Sequence, residues 1–165
     1  MSRDDRPENV NNTRRISHAD WNRLPAAVPG APAADLSEWA RAAESYGFSS
    51  VGVIDRLVYD NLDPLIALAA AAASTREIEL LTTVLNVPWR RNGVVLAKQL
   101  ASLDAVAGGR LTAGLALGGW AADHDAVGTY AKRLGEVMDE MLASMMTAWR
   151  GELVGASGPL PARHG

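Results

Sequence analysis

Asp55 and Arg56 stand side by side after a short apolar run, and they are the first residues whose types invite chemistry. Arg56 keeps its charge at any ordinary pH, so it cannot act as a general base near neutrality. It can hold a phosphate or carboxylate, or it can pair with Asp55 and shape the loop, and the residues leave both open. A second group runs Thr82, Thr83, Val84, Leu85, Asn86, with Trp89, Arg90, Arg91 and Asn92 beyond it. The two arginines suit an anion, although such a pair is more often just solvated. The third group is Gly118, Gly119 and Trp120. Small residues let a planar ring approach the backbone, and Trp120 can stack on such a ring.

His124 lies between Asp123 and Asp125. That neighbourhood invites a metal or acid–base reading. Two acids around one histidine make a weak ligand set, so no metal is expected. His18 and His164 fall in segments expected to be solvent-exposed. Met138, Met141, Met145 and Met146 recur at helical spacing and are expected in the core. The absence of Cys excludes disulfides, cysteine nucleophiles and thiolate metal sites. No G-x-S-x-G elbow occurs, and GLALGG lacks the G-x-G-x-x-G spacing of a dinucleotide fingerprint.

The elements that position these groups follow from composition and periodicity. The 165 residues are 48% apolar and 21% charged, with 16 basic and 19 acidic groups giving a net charge of −3. One domain with a sizeable core is expected, and neither a disordered chain nor a basic nucleic-acid binder fits. The apolar run Leu65 to Ala73 is far too short to span a bilayer. No apolar export segment opens the chain, so a cytoplasmic location is expected.

Residues 1–34 are charged, then rich in Pro and Ala, and read as a flexible extension with no strand; Trp21 and Leu24 are its candidates for docking on the core. Residues 35–150 are regular, and 151–165 read as a loop-like tail. DLSEWARAAESYG places Leu36, Trp39, Ala40 and Ala43 on one helical face, with Gly47 at its end. SSVGVID is a short strand of the parallel kind. In NLDPLIALAAAAAST, Asp63 can cap a helix that Pro64 begins. Strand IELLTTVL (78–85) is followed by a helix with the stripe Leu96, Leu100, Leu103 and Ala107, and Asn92 is its N-cap. Strand LTAGLAL (111–117) leads to GGWAADHDAVGT, which reads as a loop, and then a helix from about Tyr130 to Trp149. The strands recur roughly every 30 residues, which fits a (β/α)8 barrel of ~250 residues or a doubly wound sheet.

The stretch from Leu36 to Glu152 resembles the luciferase-like flavin-dependent oxidoreductases, which are TIM barrels. The matching segments are ARAAESYGFSSVGVIDRL, NLDPLIALAAAAASTREIELLTTVLNVPWRRN, VLAKQLASLDAVAGGRLTAGLALGGW and RLGEVMDEMLASMMTAWRGE. The resemblance implies a fold with three parallel strands alternating with helices, equivalent to barrel strands two to four. VPGAPAA occupies the place of the first strand and cannot form it, and the chain stops in GPLPARHG where a fifth strand would begin. Relatives often have Pro where Gly93 stands, which implies a looser helix start.

For function, the resemblance implies a flavin- or deazaflavin-dependent oxidoreductase of the monooxygenase type carrying the N-terminal half of a site. The cofactor would be FMN or an 8-hydroxy-5-deazaflavin coenzyme of the F420 type. Asp55, Arg56, Thr83, Val84, Asn86, Gly118, Gly119 and Trp120 would contact it, because barrel sites form at the C-terminal ends of strands. Many relatives have Asp-His where Asp55 and Arg56 stand. Thr83–Val84 marks the place of a non-prolyl cis peptide in the family, although a shortened chain favours an ordinary trans bond. Strands apolar on both faces, with free edges, need cover, so a homo-oligomer or a barrel-completing partner chain is expected. The competing reading is a non-catalytic remnant that serves as a subunit or interaction partner.

Overall fold

The computed structural model describes residues 21–129 and 133–152. Its framework is a four-stranded, all-parallel sheet in the order β1-β2-β3-β4: Trp21–Arg23, Ser50–Val53, Glu79–Asn86 and Leu111–Ala116. Helices α1 (Leu36–Ser45), α2 (Pro64–Ser74) and α3 (Gly93–Val106) connect the strands; α4 (Ala121–Val127) and α5 (Leu134–Trp149) follow β4. Short 3-10 turns lie at Pro25–Ala27, Ala33–Asp35 and Pro88–Arg90.

β1 corrects the three-strand expectation. VPGAPAA is indeed not a strand, but Trp21–Arg23, further upstream, pairs in parallel register with Ser50, Val51 and Gly52. Three residues are too few to show a period, which is why the strand was illegible. Leu24 follows it into the core and donates its N–H to the Gly52 carbonyl at 3.0 Å.

The helix signals translate directly into bonds. Asp63 Oδ1 accepts the N–H groups of Leu65 and Ile66 at 2.9 and 3.2 Å, and Asn92 Oδ1 accepts that of Val95 at 3.0 Å. Leu96, Leu100, Leu103 and Ala107 are buried. On α1, Leu36, Ala40 and Ala43 are buried but Trp39 is half out, because it sits at the margin of that face. On α5, Met141 and Met145 are buried, whereas Met146 is exposed. Trp149 ties α5 to α3 through its indole N–H and the Ala97 carbonyl at 3.1 Å.

Gly93 is no loose helix start. A Cβ there would lie 2.6 Å from the Met141 carbonyl and 2.9 Å from the Ser144 Cβ, so α5 crosses α3 where only a hydrogen fits. Two side chains lock the lower end of the sheet. Glu44 accepts N–H groups from Arg76, Glu77 and Ile78 at 2.9, 2.7 and 2.9 Å. Arg110 reaches the carbonyls of Ala107, Ile78, Ala72 and Thr75 and the Thr75 hydroxyl.

In-register neighbours share a sheet face. Val51 and Leu80 lie in one row, both fully buried beneath the helices. The opposite face holds Ser50 and Glu79 in one row, and Arg23, Gly52, Leu81 and Thr112 in the next. Thr112 donates to Glu79 across that face. Across β2, β3 and the start of β4 the expectation of strands apolar on both faces is therefore corrected: those rows are small or polar except for Leu81. No helix among the described residues is long and apolar enough to cross a membrane.

Candidate functional site

The C-terminal ends of β2, β3 and β4 carry two side-chain networks that begin at adjacent residues. Asp55 is buried, with 3% of its surface exposed. Its Oδ2 accepts the Asn86 N–H at 2.9 Å and the Trp89 indole N–H at 3.3 Å, and its Oδ1 accepts Arg90 Nη2 at 2.9 Å. Asn86 Nδ2 donates back to the Asp55 carbonyl at 2.8 Å. Arg90 also reaches Asp63 at 3.0 Å. Burial pushes the Asp55 carboxyl above its usual range; Arg90 and the Asn86 N–H oppose the rise, and the Asp63 charge adds to it.

Arg56 turns to a different partner. Its Nε donates to Asp123 Oδ2 at 2.6 Å. Its guanidinium carbon lies 4.1 Å from the centre of the Trp120 ring and 5.4 Å from that of Tyr59. Asp123 is fully buried on α4, and its Oδ1 accepts the N–H groups of Leu57 and Val58 at 3.2 and 2.7 Å. Burial alone would raise this carboxyl, but the Arg56 bond, the two N–H groups and the Arg56 charge hold it below its usual range.

Each aspartate–arginine pair therefore crosses to another element, and an Asp55–Arg56 pair does not form. Arg90 is held between two carboxylates rather than solvated, while Arg91 is exposed at a φ of 59°. The segment read as a loop after Trp120 contains helix α4, whose seven residues fall between Trp120 and Gly128. His124, beside Asp123, is buried against the Trp89 ring with centroids 5.5 Å apart. Its Nε2 lies 3.2 Å from the Gly118 carbonyl and its Nδ1 3.0 Å from the Thr129 hydroxyl. A carbonyl only accepts, so Nε2 carries the hydrogen of the neutral ring. Among the described residues, no group of three or more His, Cys, Asp or Glu is placed to hold a metal.

Between these networks β3 carries a bulge. Thr82 pairs with Ala113 and Leu85 with Leu115, so Thr83 and Val84 oppose Gly114 alone. The Thr83–Val84 peptide is cis, where the sequence reading favoured trans. Two glycines make room for the bulge. A Cβ on Gly114 would lie 2.5 Å from the Thr82 carbonyl, and one on Gly52 would lie 2.8 Å from the Thr83 methyl. Thr83 donates its hydroxyl to the Val53 carbonyl at 3.0 Å. Val84 is left exposed. Gly118, at a φ of 85°, has His124 and Trp89 each 3.1 Å from where its Cβ would be; Gly119 has open space there.

The structure thus joins Asp55 to Asn86 and Arg56 to Trp120, and sets Thr83 and Val84 on the bulge. Sequence reasoning named Asp123 only as a neighbour of His124 and missed its bond to Arg56, as it missed Tyr59 and the links from Asp55 to Trp89 and Arg90. One signal was available for Asp123: AADHDAV sits between Gly119 and Gly128, the spacing of a single short helix. Leu57, Val58, Tyr59, Val84, Leu117 and Trp120 are large, exposed and apolar, and all belong to these strand ends.

A parallel sheet with polar networks at its C-terminal ends is shared by β/α barrels and doubly wound sheets, and the likeness to known proteins decides between them. The profile of the luciferase-like monooxygenase family matches residues 15–164, and the chain belongs to that family. It is 32% identical over 133 residues to the 5,10-methylenetetrahydromethanopterin reductase of Methanolobus tindarius, covering 81% of this chain and 40% of that protein. An uncharacterized protein of Mycobacterium tuberculosis is 35% identical over 95 residues, which cover 55% of this chain and 32% of that protein. Among solved structures, the oxygenating constituent of 3,6-diketocamphane monooxygenase from Pseudomonas putida, in complex with FMN, has a TM-score of 0.70 at 24% identity, covering 83% of this chain and 41% of that one. The coenzyme F420-dependent tetrahydromethanopterin reductase from Methanopyrus kandleri has a TM-score of 0.63 at 21% identity, covering 87% and 44%. These structural likenesses establish the fold. The chain spans 32–40% of the length of these curated relatives.

Proposed function

We propose that this chain forms one wall of a flavin or deazaflavin site in an oxidoreductase of the monooxygenase type. The single observation that carries the reading is the exposed Val84 on the β3 bulge, with Gly119 open on the next strand end and Trp120 exposed beside it. A flat tricyclic ring needs an apolar seat with little bulk, and these residues fit that demand. Gly118 and Thr83 hold the backbone beneath the seat. Asp55, Asn86 and Arg56 set the spacing of the three strand ends. FMN and the F420-type deazaflavin are the candidates, since relatives of this fold bind them. The bound ring would supply redox chemistry, and the protein would orient it and exclude water.

The wall needs a second side. β4 has Thr112 and Ala113 exposed at the sheet edge, which supports self-association or a barrel-completing partner chain. A non-catalytic subunit with the same edge is the competing reading. Adding FMN, or the deazaflavin, to the purified chain and recording the visible spectrum after gel filtration separates them. Retained flavin with a shifted band supports the site. Release of both cofactors, with and without a partner chain, contradicts it. Sedimentation should show a species larger than a monomer; a compact monomer contradicts the association.

A further inference from the structure

We infer that the two Nη groups of Arg56 anchor an oxyanion, a carboxylate or a phosphate, carried on a largely apolar molecule, so that the proposed flavin site takes a hydrophobic acid as its substrate. The inference rests on that reading for the word substrate; the anchor itself stands on the geometry of Arg56. A guanidinium has five N–H donors, and Asp123 engages one of them, on Nε, at 2.6 Å. Among the described residues neither Nη group has a hydrogen-bond partner. Neither is sealed from solvent, because the arginine nitrogen buried without a partner is Nε of Arg90 and not an atom of Arg56. Arg90, by contrast, has both Nη groups committed to Asp55 and Asp63. The free end of Arg56 is the planar fork that a carboxylate or phosphate meets with two bonds.

The fork is held before any ligand arrives. Only 15% of the Arg56 side chain is exposed, and the Trp120 and Tyr59 rings lie 4.1 and 5.4 Å from its central carbon. An arginine free in solvent loses rotamer freedom on gripping an anion, and this one is already restrained. Asp123 balances the charge of the pair, but it is fully buried behind Nε and shares its own charge with the Leu57 and Val58 N–H groups. The outward end of the pair is therefore its positive end, and an anion arriving there displaces nothing. Leu57, Val58 and Tyr59 follow Arg56 in the chain and are exposed, so they supply apolar cover for the body that carries the anion.

The test compares 4-phenylbutyrate with its neutral amide, 4-phenylbutyramide, by NMR titration of the full chain carrying isotope-labelled arginine. The acid should bind about tenfold tighter than the amide at low salt, and the advantage should shrink as salt rises. The acid should move the Arg56 side-chain signal ahead of those of Arg90 and Arg110. The double variant Arg56→Gln/Asp123→Asn removes the fork without stranding a buried charge, and it should bind acid and amide alike. Equal binding of the two probes to the unmodified chain, no binding of either, an unmoved Arg56 signal, or an acid preference kept by the double variant overturns the inference. The first three readings use the unmodified chain and stand even where the double variant does not fold. FMN and riboflavin separate the sources of the anion. Both flavins retained beside the bound acid support a substrate anchor. Displacement of FMN alone assigns the fork to the cofactor phosphate, and displacement of both puts the acid on the ring seat; either contradicts the substrate assignment. Flavin not retained, with the acid preference intact, contradicts the cofactor reading alone; flavin retained without that preference contradicts this inference alone.

Discussion

Arg56 and Asp123 are 67 residues apart in sequence and 2.6 Å apart in space, and this bond docks α4 on the end of β2. Removing the charge of Asp123 leaves a mostly buried guanidinium without its counter-ion. Asp123→Asn should destabilise the fold by about 2–4 kcal/mol, at or below the range for a broken buried pair because Arg56 keeps some solvent contact. The Asp123 carboxyl is held below its usual range, so its contribution is present above the unfolded-state value of about 3.9 and is lost as pH falls through the lower folded value. Urea unfolding against pH should show an acid loss in the unmodified chain that is smaller in the variant.

Asp55 should behave in the opposite sense. Burial raises its carboxyl, so folding favours the protonated form. That component is complete below the unfolded-state value and disappears as pH rises through the elevated folded one. The stability difference between the unmodified chain and Asp55→Asn should therefore shrink as pH rises from acid to neutral in urea titrations.

Helices α1, α2, α3 and α5 and three strands were legible because their signals are local, whereas the short α4 was read as a loop. Asp63 before Pro64, Asn92 before Gly93 and the Leu96–Leu100–Leu103 stripe all act within a few residues. The strand-end networks were not, because each depends on which distant group arrives beside a charge. Asp55 has Arg56 as its sequence neighbour but Arg90 as its partner. Gly114 and Gly52 could be noticed in strands, yet only the β3 bulge explains why a Cβ is excluded there.

Glycine substitutions separate packing from ligand contact. Gly114→Ala would press a methyl on the Thr82 carbonyl and should cost about 1–3 kcal/mol or more. Gly93→Ala, against the Met141 carbonyl, should cost a similar amount. Gly119→Ala meets open space and should stay within about 0.5 kcal/mol. Chemical denaturation of the three variants checks the order. Gly119→Leu should then weaken flavin retention by crowding the proposed seat, with the unfolding midpoint little changed.

Arg110 should not tolerate lysine. Its guanidinium serves four carbonyls and a hydroxyl at once, a fan that an ammonium cannot reproduce. Arg110→Lys should lose about 1.5–3 kcal/mol, read from the urea midpoint at constant slope.

The placement of the ring is tested most directly at Val84. Methyl-labelled valine in the full chain, titrated with riboflavin, reports the ring current at each valine separately. The Val84 methyl signals should move furthest, ahead of the buried Val51 and Val53, because Val84 alone of these three is exposed on the proposed seat. Saturable shifts that spare Val84 while moving other valines would place the ring elsewhere and contradict the account.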